Sequence, residues 1–156
     1  MGKRVPYTSI RGNDLGIGSR GEMAARGSAI YQVTRPAVTA TITISAEAAT
    51  VANQRDISIT LKDADGNAID YAEMFEIVLF SSSAMTDFVA TGGSTGIAAG
   101  AAGKILAVVA KKLFRAITNT SGLCSVIYTD TGSDAGYRAV RLPSGQIIAG
   151  GLITNA

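Results

Sequence analysis

Few residues in this chain are equipped for chemistry, and their spacing decides what they can do. Histidine is absent, which removes the commonest general base near neutral pH and the commonest metal ligand. Cys124 is the one thiol, so neither an intrachain disulfide nor a cysteine metal cluster can form. It lies between Leu123 and Val126 in a strand-like run, the setting of a small buried hydrophobe rather than of an exposed, electropositive thiolate. Carboxylates group as Asp63, Asp65 and Asp70, and as Asp130 and Asp134. Both groups fall in turn-like segments expected to be solvated, a poor setting for paired acid–base work. Serines abound, but a serine nucleophile here would need a lysine base, and Ser81-Ser82-Ser83 forms no such pair by itself. No catalytic residue, cofactor site or metal site is expected.

Two short patterns resemble ligand motifs and fail on context. Gly16-Ile17-Gly18-Ser19-Arg20-Gly21 matches G-x-G-x-x-G, but a dinucleotide site needs a strand before it, a helix after it and an acidic residue about twenty positions on. Asp63, Asp65 and Asn67 alternate as at the start of a calcium loop. That loop wants Gly at its sixth position and Glu at its twelfth; here Gly66 is fourth and Met74 twelfth. A hairpin turn is the expectation. Asn119-Thr120-Ser121 is a glycosylation triplet, read as a turn because no secretory signal precedes it.

The elements that would position any site are strands. In Arg55–Ile69, Ile57, Ile59 and Leu61 alternate with Ser58, Thr60 and Lys62, giving one apolar and one wet face. Asp65-Gly66-Asn67 then turns the chain. Strands are also expected over 37–45, 74–80, 123–129, 136–142 and 146–154, with turns at Asn119–Gly122 and Pro143–Gly145. The Gly/Ala-rich stretch 91–103 is expected to be a long loop. In Lys104–Thr118, Ile105, Val109, Leu113 and Ile117 recur every four residues. That period favours an amphipathic helix, with two strands broken at Ala110–Lys112 as the alternative.

The 156 residues hold one domain and an appendage. With 47% hydrophobic and 17% charged residues, no Trp, four Phe and five Tyr, the core must be aliphatic. No window approaches the roughly 18 apolar residues of a membrane span, and no membrane partner is expected. Residues 1–36 stand apart. They carry Lys3, Arg4, Arg11, Arg20, Arg26 and Arg35 against Asp14 and Glu22, a balance of +4, while the other 120 residues carry −2. Glycines interrupt every period there, so the segment reads as an extended basic arm without a core, able to reach on the order of 120 Å. Such an arm cannot be ordered by its own domain: either it is disordered when the protein is alone, or a partner surface orders it.

The segments ISITLKDADGNAI, TNTSGLCSVIYT and YRAVRLPSGQIIAGGLIT resemble the bacterial-type immunoglobulin-like domains of tailed-phage virion proteins over residues 54–156. Asn119 stands where that family usually has Asp. The resemblance implies an all-β, immunoglobulin-like antiparallel β-sandwich over 37–156, preceded by the arm over 1–36. It also implies a structural virion protein, a capsid decoration (cement) protein or a tail, neck or head-fibre accessory. The expected partners are the major capsid protein and neighbouring copies of the chain, met at the capsid surface after synthesis in the host cytoplasm. The arm residues expected to touch them are Arg4, Arg11, Arg20, Arg26, Tyr7 and Tyr31. A nucleic-acid module is the weaker reading, since six positive charges are spread thinly with only those two tyrosines to stack. A glycan-binding tip ranks third, because Phe75, Phe80 and Phe114 are flanked by aliphatics and read as core.

Overall fold

The computed structural model describes residues 36–47, 51–132 and 135–154, and the backbone alone of 15–17, 22–25 and 29–32. The chain falls into two units, Met1–Arg35 and Pro36–Ala156. In the first, strands β1 (Leu15–Ile17), β2 (Glu22–Ala25) and β3 (Ala29–Gln32) pair in an antiparallel meander. Strands of three or four residues are too short to show a period, and the sequence reading of an extended arm did not foresee them.

The second unit is all-β, with no helix among the described residues. Its strands are β4 (Thr39–Ile44), β5 (Gln54–Lys62), β6 (Met74–Phe80), β7 (Gly96–Ala99), β8 (Lys104–Val109), β9 (Leu113–Ile117), β10 (Leu123–Thr129), β11 (Gly136–Arg141) and β12 (Ile147–Ile153). They form two antiparallel sheets, ordered β4-β5-β10-β7 and β12-β11-β6-β9-β8. The sheets share one core. Ile57, Ile59 and Leu61 of β5 and Cys124, Val126 and Tyr128 of β10 supply one side; Phe75, Ile77 and Leu79 of β6, Phe114 and Ala116 of β9 and Val140 of β11 supply the other. The period-2 alternation read in β5 is the burial pattern observed, and Phe75, Phe80 and Phe114 are buried as expected.

The turns work by a repeated device. Asp63 Oδ1 accepts the amide N–H groups of Asp65 and Asn67, both at 3.0 Å. Asn119 Oδ1 accepts those of Ser121 (2.9 Å) and Leu123 (3.0 Å). Each side chain satisfies donors two and four residues on, so the corner closes without help from the sheets. Asn and Asp offer the same oxygen there. The Pro143–Gly145 turn also forms, with Gly145 N–H donating to Leu142 O and Leu142 N–H to Gln146 O.

Two expectations are settled. Lys104–Thr118 is not the helix its period favoured but the alternative, two strands broken at Ala110–Lys112 that pair as the β8–β9 hairpin. The four-residue stripe does not coincide with burial: Val109 and Ile117 are exposed, whereas Phe114 and Ala116 are in the core. Lys111 turns the chain at a positive φ of 62°. The stretch 91–103 is not wholly a loop, because β7 pairs with β10 within it. Its small residues permit close backbone approach: a Cβ at Gly100 would lie 2.6 Å from Ser125 Oγ, and one at Gly103 2.5 Å from Ile117 O.

Candidate functional site

Arg4, Tyr7, Arg11, Arg20 and Arg26 lie outside the described residues. Tyr31 lies in β3, its backbone in register with Met23. The G-x-G-x-x-G run contributes Gly16 and Ile17 to β1, and its other four residues lie outside the described set. Asp134 lies outside it too.

Apolar side chains left exposed in the second unit concentrate on the outer face of the five-stranded sheet. Strand registers align Ile147, Arg141, Glu76, Arg115 and Leu106 in one row across β12, β11, β6, β9 and β8. The row is apolar at both ends and charged in the middle. Arg141 Nη1 lies 3.2 Å from Glu76 Oε2, and Arg115 Nε 3.9 Å from Glu76 Oε1. A second row aligns Met74, Ile117 and Lys104. Leu106 is 68% exposed, Met74 58%, Val108 50% and Leu152 49%. A groove of about 540 Å³ runs beside the charged trio, walled by Met74, Glu76, Arg115, Arg141 and Pro143 among others.

The same face is dry at its other end. Val78, Phe80 and Ala139 are buried there, with Met85, Leu113 and Tyr137 packed against them. Phe88 stacks on Phe80, ring centroids 6.4 Å apart and planes within 6°. Strand β8 is an edge of this sheet and combines an unpaired backbone side with exposed Leu106, Val108 and Val109. Such an edge invites strand addition or face-to-face docking by another protein.

A second feature lies between the sheets. Arg138 occupies an inward position of β11, in phase with Val140 and Leu142, and is only 2% exposed. Its guanidinium carbon sits 3.8 Å from the centroid of the Tyr128 ring, a cation–π contact in a desolvated setting. Nη1 donates to Gly136 O, while Nε and Nη2 have no hydrogen-bond partner. Burial pulls the Arg138 pKa below its ordinary value and pushes the Tyr128 hydroxyl up. Arg138, Tyr128, Leu79, Ser81, Gly92 and Gly93 help to line a pocket of about 170 Å³. A Cβ at Gly93 would lie 2.9 Å from the Tyr128 hydroxyl oxygen, and Gly93 has φ +89°, so glycine lets the loop lie against that ring.

Asp130, expected to be solvated, is buried instead. Its Oδ1 accepts the amides of Ser94 and Gly132 at 3.0 Å, and its Oδ2 accepts the Tyr128 hydroxyl at 3.3 Å. Three donors, two from its own segment and one from the loop at Ser94, satisfy the carboxylate, which makes burial tolerable. Asp63 is also buried, through its turn role, while Asp65 and Asp70 are exposed. Among the described residues no group of three His, Cys, Asp or Glu side chains converges as a metal site would require, and no helix is long and apolar enough to cross a membrane.

Sequence reasoning missed both features. The outer-face rows depend on register across five strands, which no single strand displays. Arg138 was masked because Tyr137-Arg138-Ala139-Val140-Arg141 places an arginine on each face of the strand. No family model, no curated protein and no solved structure matches the chain.

Proposed function

We propose that the protein is a structural component of a tailed-phage virion, a capsid decoration protein that docks on the shell. The outer face of the five-stranded sheet serves as its contact surface, and residues 1–36 supply a second attachment. The observation that carries this reading is the exposed row Ile147–Arg141–Glu76–Arg115–Leu106 together with Met74 and the β8 edge. Lys104, Arg115 and Arg141 outnumber Glu76 on that face, so the complementary partner is a surface with carboxylates at its centre and apolar side chains around them. Charge complementarity of this kind sets register and partner choice more than raw affinity. Each contact is modest, and repetition over a lattice multiplies it.

The immunoglobulin-like reading is supported by strand placement. The order β4-β5-β10-β7 has the layout A-B-E-D, and β12-β11-β6-β9-β8 has the layout G-F-C-C′-C″ of a variable-type sandwich. The connections differ between C and E: the strands in the C′, C″ and D positions come in reverse chain order, as β7 (D), β8 (C″) and β9 (C′). The chain thus resembles that sandwich in its layers and departs from it between C and E.

The reading is tested by adding purified protein to shells lacking it and scoring co-sedimentation. Saturable binding at a fixed ratio to coat protein is expected, and Leu106→Asp should abolish it while leaving the circular dichroism spectrum unchanged. Undiminished binding by that variant would remove the outer face from the interface. Occupancy confined to a tail or neck would move the protein to an accessory role there.

A further inference from the structure

We propose that Lys111 straps the two sheets together and thereby positions the β8 edge for docking. The inference starts from a residue in an unusual backbone region. Lys111 turns the β8–β9 hairpin at φ 62°, a left-handed conformation that such turns give to glycine or asparagine. A lysine there carries strain that glycine would avoid, and its side chain shows what it adds in return. Nζ donates to Gly93 O at 3.1 Å and to Ser94 O at 2.5 Å. Those carbonyls belong to the segment leading into β7, an edge of the four-stranded sheet, whereas the hairpin carries β8, an edge of the five-stranded sheet. One ammonium ties two edges that no ladder joins.

The receiving segment, Thr91–Gly96, is shaped to this side chain. A Cβ at Gly92 would collide with Lys111 O, and one at Gly96 would lie 3.0 Å from Lys111 Cγ. Both glycines have positive φ, 73° and 87°, so bare backbone approaches the lysine where a side chain would block it. The segment is itself anchored. Ser94 N–H donates to Asp130 Oδ1 at 3.0 Å, Ser94 Oγ accepts the Thr131 N–H at 2.9 Å, and Thr95 N–H donates to Thr129 O at 3.3 Å. The ammonium therefore holds the hairpin turn against a fixed loop. Leu106, Val108 and Val109, the exposed apolar residues of β8, are presented in one arrangement, and a partner loses less affinity to ordering that edge. The positioning role rests on the docking reading of β8; the strap itself does not.

The test compares the full-length wild type with Lys111→Met, which keeps an apolar stem and loses the donor. Amide exchange at Ser94, Thr95 and Lys112, followed by ¹⁵N NMR, should accelerate at least about tenfold. Binding to shells lacking the protein should weaken about fivefold. Lys111→Cys carries the same loss, and its thiolate, displacing bromide from 2-bromoethylamine, rebuilds an ammonium of nearly lysine length; Cys124 is buried. Restored protection and binding assign both effects to the ammonium, whereas unrestored protection assigns the loss to packing and overturns the proposal. Unchanged exchange in Lys111→Met would overturn the strap. Faster exchange with full shell binding, while Leu106→Asp still abolishes binding, would overturn the positioning role and leave the docking reading intact. Full binding by both variants would remove the docking reading and the positioning role with it. In the wild type, the Lys111 ammonium protons should exchange more slowly than those of exposed Lys104; equal rates would overturn the strap even if no variant folds.

Discussion

Asn119 and Gly122 hold one corner of the sandwich by different means. Asn119 supplies an acceptor for two amides, each worth about 0.5–1.5 kcal/mol net. Asn119→Ala is expected to lower the unfolding free energy by about 1–2 kcal/mol in urea, and Asn119→Asp to restore most of it. Gly122 has φ +69°, and a Cβ there would lie 2.8 Å from both Ile69 Cγ1 and Ile69 O. Gly122→Ala combines left-handed strain with a backbone clash and should cost about 1–3 kcal/mol; a urea midpoint equal to wild type would contradict that geometry. Burial pushes the Cys124 thiol up to about 11 from 9.0. The folded state therefore holds that proton more tightly than the unfolded chain. Its stabilising contribution is intact below about pH 9 and is lost as pH rises toward 11, by on the order of 2–3 kcal/mol. Tyr71, pushed up to about 12 by burial and by its hydrogen bond to Glu73, acts in the same direction at higher pH. Alkaline unfolding monitored by circular dichroism should be shallower in Cys124→Ala between pH 9 and 11, and native protein at pH 7 should resist thiol reagents.

At the scale of elements, alternation announced β5 because it sends one complete set of side chains into the shared core. The β8–β9 hairpin was legible only as the alternative to a helix. Its outer positions carry Leu106, Leu113 and Ile117, so apolar residues occupy both faces and the two-residue period dissolves into a spurious four-residue one. The same excess of apolar residues leaves Leu106, Val108, Val109 and Ile117 exposed, which is why the hairpin is proposed as the docking element. Leu106→Lys should change unfolding free energy by no more than about 0.5 kcal/mol, since the side chain is 68% exposed. It should weaken shell binding by more than about 1 kcal/mol, roughly fivefold, if Leu106 anchors the interface. Strand β7 was hidden for another reason. Glycine and alanine read as loop, yet here they admit close approach to β10 and to the β9–β10 corner. Arg138 was hidden by ambiguity of phase, and only the partner sheet decides which arginine of β11 faces inward.

The second unit presents two separate features. The two sheets bury their inner faces against each other; the outer face of the five-stranded sheet has an apolar rim and a charged centre, and a separate pocket lies beside Arg138. The sandwich was legible because turn chemistry and strand alternation agree along most of 54–154. The outer-face rows and the inward Arg138 were not, because register, phase and burial belong to the assembled sheets. The residues expected to form the basic attachment segment, Arg4, Tyr7, Arg11, Arg20 and Arg26, lie outside the described residues. Their role is best tested on the particle itself. The most direct measurement is the copy number of this chain in purified virions, by quantitative mass spectrometry against the major coat protein. A simple whole-number ratio repeated over the shell is predicted for a decoration protein; absence from the particle would contradict the virion role.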